Sequence, residues 1–249
     1  MYPIFHELLS DKTGGRVFRC FGPWHVFWIG LTTAVFAVLY LHLRRRDGEG
    51  RERALRALGG LVFGLYILDF FLMPLAYGEI NVEKLPFHAC TAMCVMCFLG
   101  RRCRRLEPFR GAFALLGFVS NLVYLCYPAG VMWHAVHPLC YRVVQTLGFH
   151  GLMSAVCLLE LLFSETGDWR RQLGVTAGMT AWALLGNYAY NTPERMYNWF
   201  FVVEDPFGIV PAAPFVMPVL NIVIFFAAEQ AVCAALRRVK GGTACATAT

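Results

Sequence analysis

Charge is the scarce ingredient of this sequence. Of 249 residues, only 15% are Asp, Glu, Lys or Arg, while 58% are hydrophobic. A soluble domain carries roughly a quarter charged residues, so the polar surface that a water-soluble enzyme or a nucleic-acid module needs is missing. Disorder is excluded on the same ground, because disordered chains are poor in apolar residues. Period-two alternation is absent from the apolar runs, which argues against an outer-membrane barrel. There is no low-complexity stretch, internal repeat or polar linker. The order of residues in a cleavable leader is lacking too: Glu7, Asp11, Lys12, Arg16 and Arg19 are mixed with short apolar pieces. The first apolar run is therefore expected to act as its own insertion signal.

What the chain does have is long apolar runs and a mean hydropathy of +0.53. A spanning helix needs roughly 20 mostly apolar residues. Seven runs approach that length: Trp24–Leu43, Ala57–Ala76, Leu85–Gly100, Phe109–Tyr127, Val143–Phe163, Leu173–Tyr190 and Phe215–Leu236. They predict an all-α, polytopic membrane bundle of seven transmembrane helices. A single domain is expected over residues 1–240, with a disordered small-residue tail over 241–249. The third run is short and opens at Pro86. It reads either as a full span that starts before the proline or as a re-entrant element.

The basic residues are distributed unevenly. Arg44, Arg45, Arg46, Arg51, Arg53 and Arg56 follow the first run, and Arg101, Arg102, Arg104, Arg105 and Arg110 follow the third. Arg170, Arg171, Arg237, Arg238 and Lys240 fall on the same side of a seven-span path. That is 16 of the 22 Lys and Arg residues, with Lys12, Arg16, Arg19, Lys84, Arg142 and Arg195 on the other side. The positive-inside rule then places the N-terminus outside and the C-terminus in the cytoplasm. The net charge of +6 is accounted for by basic loops facing an anionic leaflet, and no nucleic-acid partner is implied.

Most of the ten cysteines lie in apolar runs, where a thiol behaves as a small hydrophobe. Cys94 and Cys97 form a single CxxC pair without a second, so no metal site is expected. Cys126 and Cys140 flank one short loop on the outer side and are a candidate disulfide in an oxidising compartment.

Polar groups at membrane depth are costly and become functional candidates by default. Asp69, His88, Asn121, Gln145, His150, Asn187 and Asn221 come from six runs and, on the orientation above, share the outer half of the membrane. They predict a polar pocket that opens outward. Each also has a structural alternative: Asp69 could bond Tyr66, and the three asparagines could serve as interhelical hydrogen bonders. His150 lies between Gly148 and Gly151, which would let a backbone or a ligand approach. Glu160, Glu165 and Glu229 fall toward the basic side and are expected to pair with loop arginines. Gly174 and Gly178 fit a small-residue helix-contact pattern. In a regular helix from Pro86, His88 and Thr91 share one face, while Cys90 shares the opposite one with Phe87, Cys94 and Cys97. If His150 is a general base, either Cys90 or Thr91 is the nucleophile, and the thiol is the better one.

Several short elements resemble those of one family. Leu85-Pro86-Phe87-His88-Ala89-Cys90 resembles the LPxHxC element of the YwaF-type bacterial integral membrane proteins. Phe149-His150-Gly151-Leu152 resembles their later HG element, and Gly186-Asn187-Tyr188 the end of the helix after it. Phe21-Gly22-Pro23-Trp24-His25 also fits, and the elements keep their order from about residue 21 to 230. These proteins are similar to the eukaryotic transmembrane protein 164 family, acyltransferases that act on phospholipids through a cysteine and a histidine. The resemblance implies His150 as that histidine. If the family's cysteine lies beside the histidine of the third run, Phe87 holds its place here, and Cys90 is the thiol one turn on.

Together these readings lead to a cell-membrane protein, in the plasma membrane if bacterial, whose partners are membrane lipids. One function is lipid acyl transfer or hydrolysis without a cofactor, with His150 as base, Cys90 or Thr91 as nucleophile, and Asn187, Asn121 or Asn221 as oxyanion donors. The other is a carrier or receptor that binds a small polar or amphipathic ligand at the same residues.

Overall fold

A computed structural model describes residues 17–78, 82–128, 131, 136–205, 208–210 and 213–246, with backbone alone at 76–77, 213 and 241–246. Among them are seven α-helices: α1 Pro23–Leu43, α2 Gly48–Tyr77, α3 Ala89–Gly100, α4 Arg110–Cys126, α5 Tyr141–Phe163, α6 Trp169–Tyr190 and α7 Ala213–Ala246. Local signals set their ends. Pro23 opens α1, where its missing N–H costs nothing. Asp47 caps α2 by accepting from the Gly50 amide at 2.9 Å, and Gly78 closes it in the left-handed conformation at φ 80°. Asp168 caps α6 by accepting from the amides of Arg170 and Arg171.

Two helices run further than their apolar content. α2 begins at Gly48 rather than near Ala57, because the Asp47 cap and the spaced pairs Glu49–Arg53 and Glu52–Arg56 carry it through the arginine-rich segment. α7 extends to Ala246, beyond the apolar run Phe215–Leu236. Residues 247–249 of the expected tail lie outside the described residues.

Among the described residues, five helical stretches are long and apolar enough to cross a membrane: Pro23–Leu43, Gly48–Leu75, Glu107–Cys126, Tyr141–Phe163 and Pro214–Lys240. Seven spans were expected. α3 falls short because it begins at Ala89, after the proline, and has only 12 residues. That is about 18 Å of helix, against a hydrocarbon core of about 30 Å. The other helix outside that set, α6, runs over 22 residues but carries Gln172, Thr176, Thr180 and Asn187, all buried, which lowers its apolar content.

The chain forms two compact units. The first falls within residues 1–82 and 120–159, the second within 83–119 and 160–249. In the first, Phe18, Leu125, Val131, Val136, Cys140, Val143 and Leu147 pack into a buried cluster with Trp24 and Trp28 against it. His25 ties this region together. Its Nε2 donates to the Leu125 carbonyl at the end of α4 at 2.6 Å, and its Nδ1 accepts from the Phe21 amide at 2.9 Å. Phe21 is held at φ 56°, a left-handed conformation that side chains rarely adopt.

In the second unit α6 packs along α7. Buried Glu229 accepts from the Thr176 hydroxyl at 2.8 Å, and Gln230 donates to Gln172 at 2.7 Å. Glu229 was expected to pair with a loop arginine, but it faces α6 instead. Glu160 does meet arginines: it is ion-paired with Arg101, and with Arg110 at 3.1 Å. Among the described residues, a Cβ at Gly174 or Gly178 would meet nothing within 4 Å.

Candidate functional site

The sequence candidates fall into two groups, one in each unit. In the first unit His150 is buried on α5, with its Nδ1 2.7 Å from Asn121 Oδ1 of α4. An amide oxygen only accepts, so Nδ1 carries the hydrogen, and the lone pair of the neutral imidazole lies on Nε2. The Tyr124 ring stacks on the imidazole at 3.9 Å and 16°. Asn121 and Tyr124 are three residues apart and share a face of α4. One helix thus supplies both the hydrogen-bond partner and the stacking partner of His150.

The flanking glycines have a packing role. A Cβ at Gly151 would overlap Thr32 Oγ1 of α1, and one at Gly148 would reach Trp28 at 4.0 Å. Gly151 in particular admits α1 against α5.

Asp69 on α2 is buried and accepts from the Tyr141 hydroxyl at 2.6 Å. Tyr141, at the first position of α5, is a partner that was not considered from sequence. Gln145 is partly buried and accepts from Thr146 at 3.2 Å.

The second group gathers on a short irregular segment. Trp199–Phe201 form a single 3-10 turn in which Phe200 and Phe201 have φ of 56° and 52°. Three side chains from three regions hold its backbone. Asn187 of α6 accepts from the Trp199 amide and donates to the Trp199 carbonyl, both at 3.2 Å. His88 Nδ1 accepts from the Phe200 amide at 3.2 Å. Asn221 of α7 donates to the carbonyls of Phe200 and Phe201 at 2.6 and 2.9 Å. Asn187 gives its second amide hydrogen to Ala183 O at 2.8 Å.

An amide group has two hydrogens, so those of Asn187 and Asn221 are all engaged with backbone carbonyls. In this arrangement neither has an amide hydrogen left to offer an oxyanion. Replacing Asn187 by alanine strands both polar groups of Trp199. The expected cost is about 1–3 kcal/mol per buried group, read as a lower unfolding midpoint in detergent. Asn221→Ala should match it in direction, and no change in either variant would mean that the turn does not depend on them.

His88 is the N-cap of α3, with φ −80° and ψ 145°, and is not inside the helix as the apolar run suggested. The opposite-face argument for His88 and Cys90 therefore does not apply. Cys90 is partly buried in the first turn of α3. Thr91 is buried and donates its hydroxyl hydrogen to the His88 carbonyl at 3.1 Å, as a helix-start residue does. Phe87 is buried against the rings of Trp182 and Trp199, both at 5.0 Å, and Tyr190 at 5.8 Å. Gly186 makes room for it, since a Cβ there would overlap the Phe87 ring. Among the described residues, no group of three or more His, Cys, Asp or Glu side chains is arranged to hold a metal ion.

Tyr124, Tyr141 and the Trp199–Phe201 turn were not singled out from sequence. Tyr124 was within reach, three residues beyond Asn121 on the same helical face. Nothing in the sequence marked Tyr141 as the partner of a residue 72 positions earlier.

Long apolar helices with amide, imidazole and carboxylate groups buried among them define a multi-pass membrane protein. A family model described as the TMEM164 family matches residues 20–237, and the chain belongs to that family. No curated protein and no solved structure gives a significant match.

Proposed function

We propose that this chain transfers or hydrolyses acyl groups of membrane lipids, as the family resemblance implies, with His150 as general base and Cys90 as nucleophile. The observation that carries the reading is the Asn121–His150 hydrogen bond. An amide that accepts from Nδ1–H fixes the ring and directs its basic Nε2 away from that bond, the arrangement used in Cys-His-Asn hydrolases. In this scheme the Cys90 thiolate attacks an ester carbonyl and the lysolipid alcohol leaves with a proton. An acceptor alcohol or water, deprotonated by the histidine, then releases the acyl group. Cys90 is preferred to Thr91 because the Thr91 hydrogen is already engaged. Asp69, His88, Gln145, Asn187 and Asn221 act in this reading as polar framework rather than as reacting groups.

A thiol-reactive acyl-lipid probe applied to membranes containing the full chain is expected to label Cys90. Labelling should persist in Thr91→Val and fall at least about tenfold in His150→Gln, because a base that serves a thiol raises its thiolate fraction. Full-strength labelling of Cys90→Ala, or labelling indifferent to His150, would favour the carrier or receptor reading.

The 16-to-6 basic asymmetry supports an N-outside, C-inside orientation in the cell membrane, and the ordered motifs support the YwaF-type branch. Tags at residues 48 and 104 and at the C-terminus are expected on the cytoplasmic side, with one at residue 134 outside. Residues 48 and 104 on opposite faces would overturn the orientation.

A further inference from the structure

Two cysteines in the first unit are held side by side by the residues next to them. Cys20 Sγ lies 3.7 Å from the Cys126 carbonyl oxygen. Phe21, next to Cys20, and Leu125, next to Cys126, are joined through the two ring nitrogens of His25, at 2.9 and 2.6 Å. Phe18, two residues before Cys20, donates its amide to Val136 O at 2.9 Å, and its ring lies against His25 at 5.7 Å. Between them, the Arg19 carbonyl accepts from the Gly22 amide at 3.0 Å and turns the chain into α1. The segment ahead of α1 is thus tied down on both sides of Cys20. Cys126 is exposed and Cys20 partly so, whereas Cys140, the partner expected from loop spacing, is buried in the apolar cluster.

We propose that Cys20 and Cys126 are a disulfide-forming pair, closed by a small disulfide oxidant, that staples the segment before α1 to the C-terminal end of α4. Exposed Cys126 is the first nucleophile. Its thiolate attacks the oxidant's S–S bond and releases one thiolate, leaving a mixed disulfide. The Cys20 sulfur then attacks the Cys126 sulfur and expels the second thiolate. Two protein thiols lose two electrons and two protons, and the oxidant is reduced to two thiols. Burial holds the Cys20 thiol above its usual pKa, an effect opposed by the Phe21 backbone and reinforced by nearby Cys126, which disfavours it as the first nucleophile. The staple bears on the histidine site without belonging to it. Asn121 lies five residues before Cys126 on α4, and α1 carries the Trp28 and Thr32 that pack at the glycines around His150.

The test uses the full chain in detergent, oxidised with glutathione disulfide, blocked with N-ethylmaleimide and digested without reductant. Mass spectrometry is expected to show a cross-linked peptide pair containing Cys20 and Cys126. Each should lack its maleimide and regain it when reduction precedes blocking. Cys20→Ser and Cys126→Ser should each abolish the pair, and Cys140→Ser should retain it. A Cys126–Cys140 peptide pair, or full maleimide labelling of Cys20 and Cys126 after oxidation, would overturn the proposal. Peptide mapping of the unaltered protein needs no variant to fold. It is also independent of acyl transfer, so loss of the lipid reading would leave this result unaffected.

Discussion

His150→Ala is expected to lower acyl turnover by roughly 10²–10⁴-fold, the range a positioned general base supplies. Asn121→Ala should cut the rate through the same histidine, because it removes the acceptor that holds hydrogen on Nδ1 at 2.7 Å. The double variant should be little worse than His150→Ala alone, since groups that act as a unit are not additive. The decisive comparison is Asn121→Asp, which keeps an acceptor at the same place and should recover more activity than Asn121→Ala. Rates are measured as release of labelled acyl chains from phospholipid vesicles holding the purified protein. Unchanged turnover in folded His150→Ala would remove the histidine from the chemistry.

The largest expected loss of stability is at Glu160. Its carboxylate is buried and shared by the Arg101 and Arg110 guanidiniums. Glu160→Ala leaves two cations with their common counter-charge gone. Removing one partner of a buried ion pair costs about 3–5 kcal/mol, far more than an exposed pair such as Arg53–Glu49 contributes. Glu160→Gln retains the shape and some hydrogen bonding and should lose less. The measurement is the temperature at which the detergent-solubilised protein leaves its folded peak in size-exclusion chromatography. An unchanged midpoint for Glu160→Ala would show that the cluster contributes no net stability.

Helix positions were legible because length and apolarity are imposed by the bilayer. The run Trp24–Leu43 became Pro23–Leu43, and Val143–Phe163 became Tyr141–Phe163. The third run misled because its apolar residues continue through Leu85 and Phe87, whereas Pro86 delays the helix to Ala89. The candidate site was legible as a set of costly residues but not as a set of contacts. His150 and Asn121 did meet, on helices whose pairing the sequence does not encode. Asn187, Asn221 and His88 also met, but around Trp199–Phe201, because an aromatic segment gave no sign that its backbone would need partners.

The Trp199–Phe201 turn also constrains biosynthesis. Buried amides and carbonyls outside a regular helix need hydrogen-bond partners from elsewhere in the chain. Here His88 and Asn187 precede the turn in the chain, but Asn221, which serves two of its carbonyls, follows it. During synthesis the ribosome releases the turn before it has released the residue that completes it. Until α7 emerges, the nascent chain lacks the side chain that serves these two carbonyls in the folded protein.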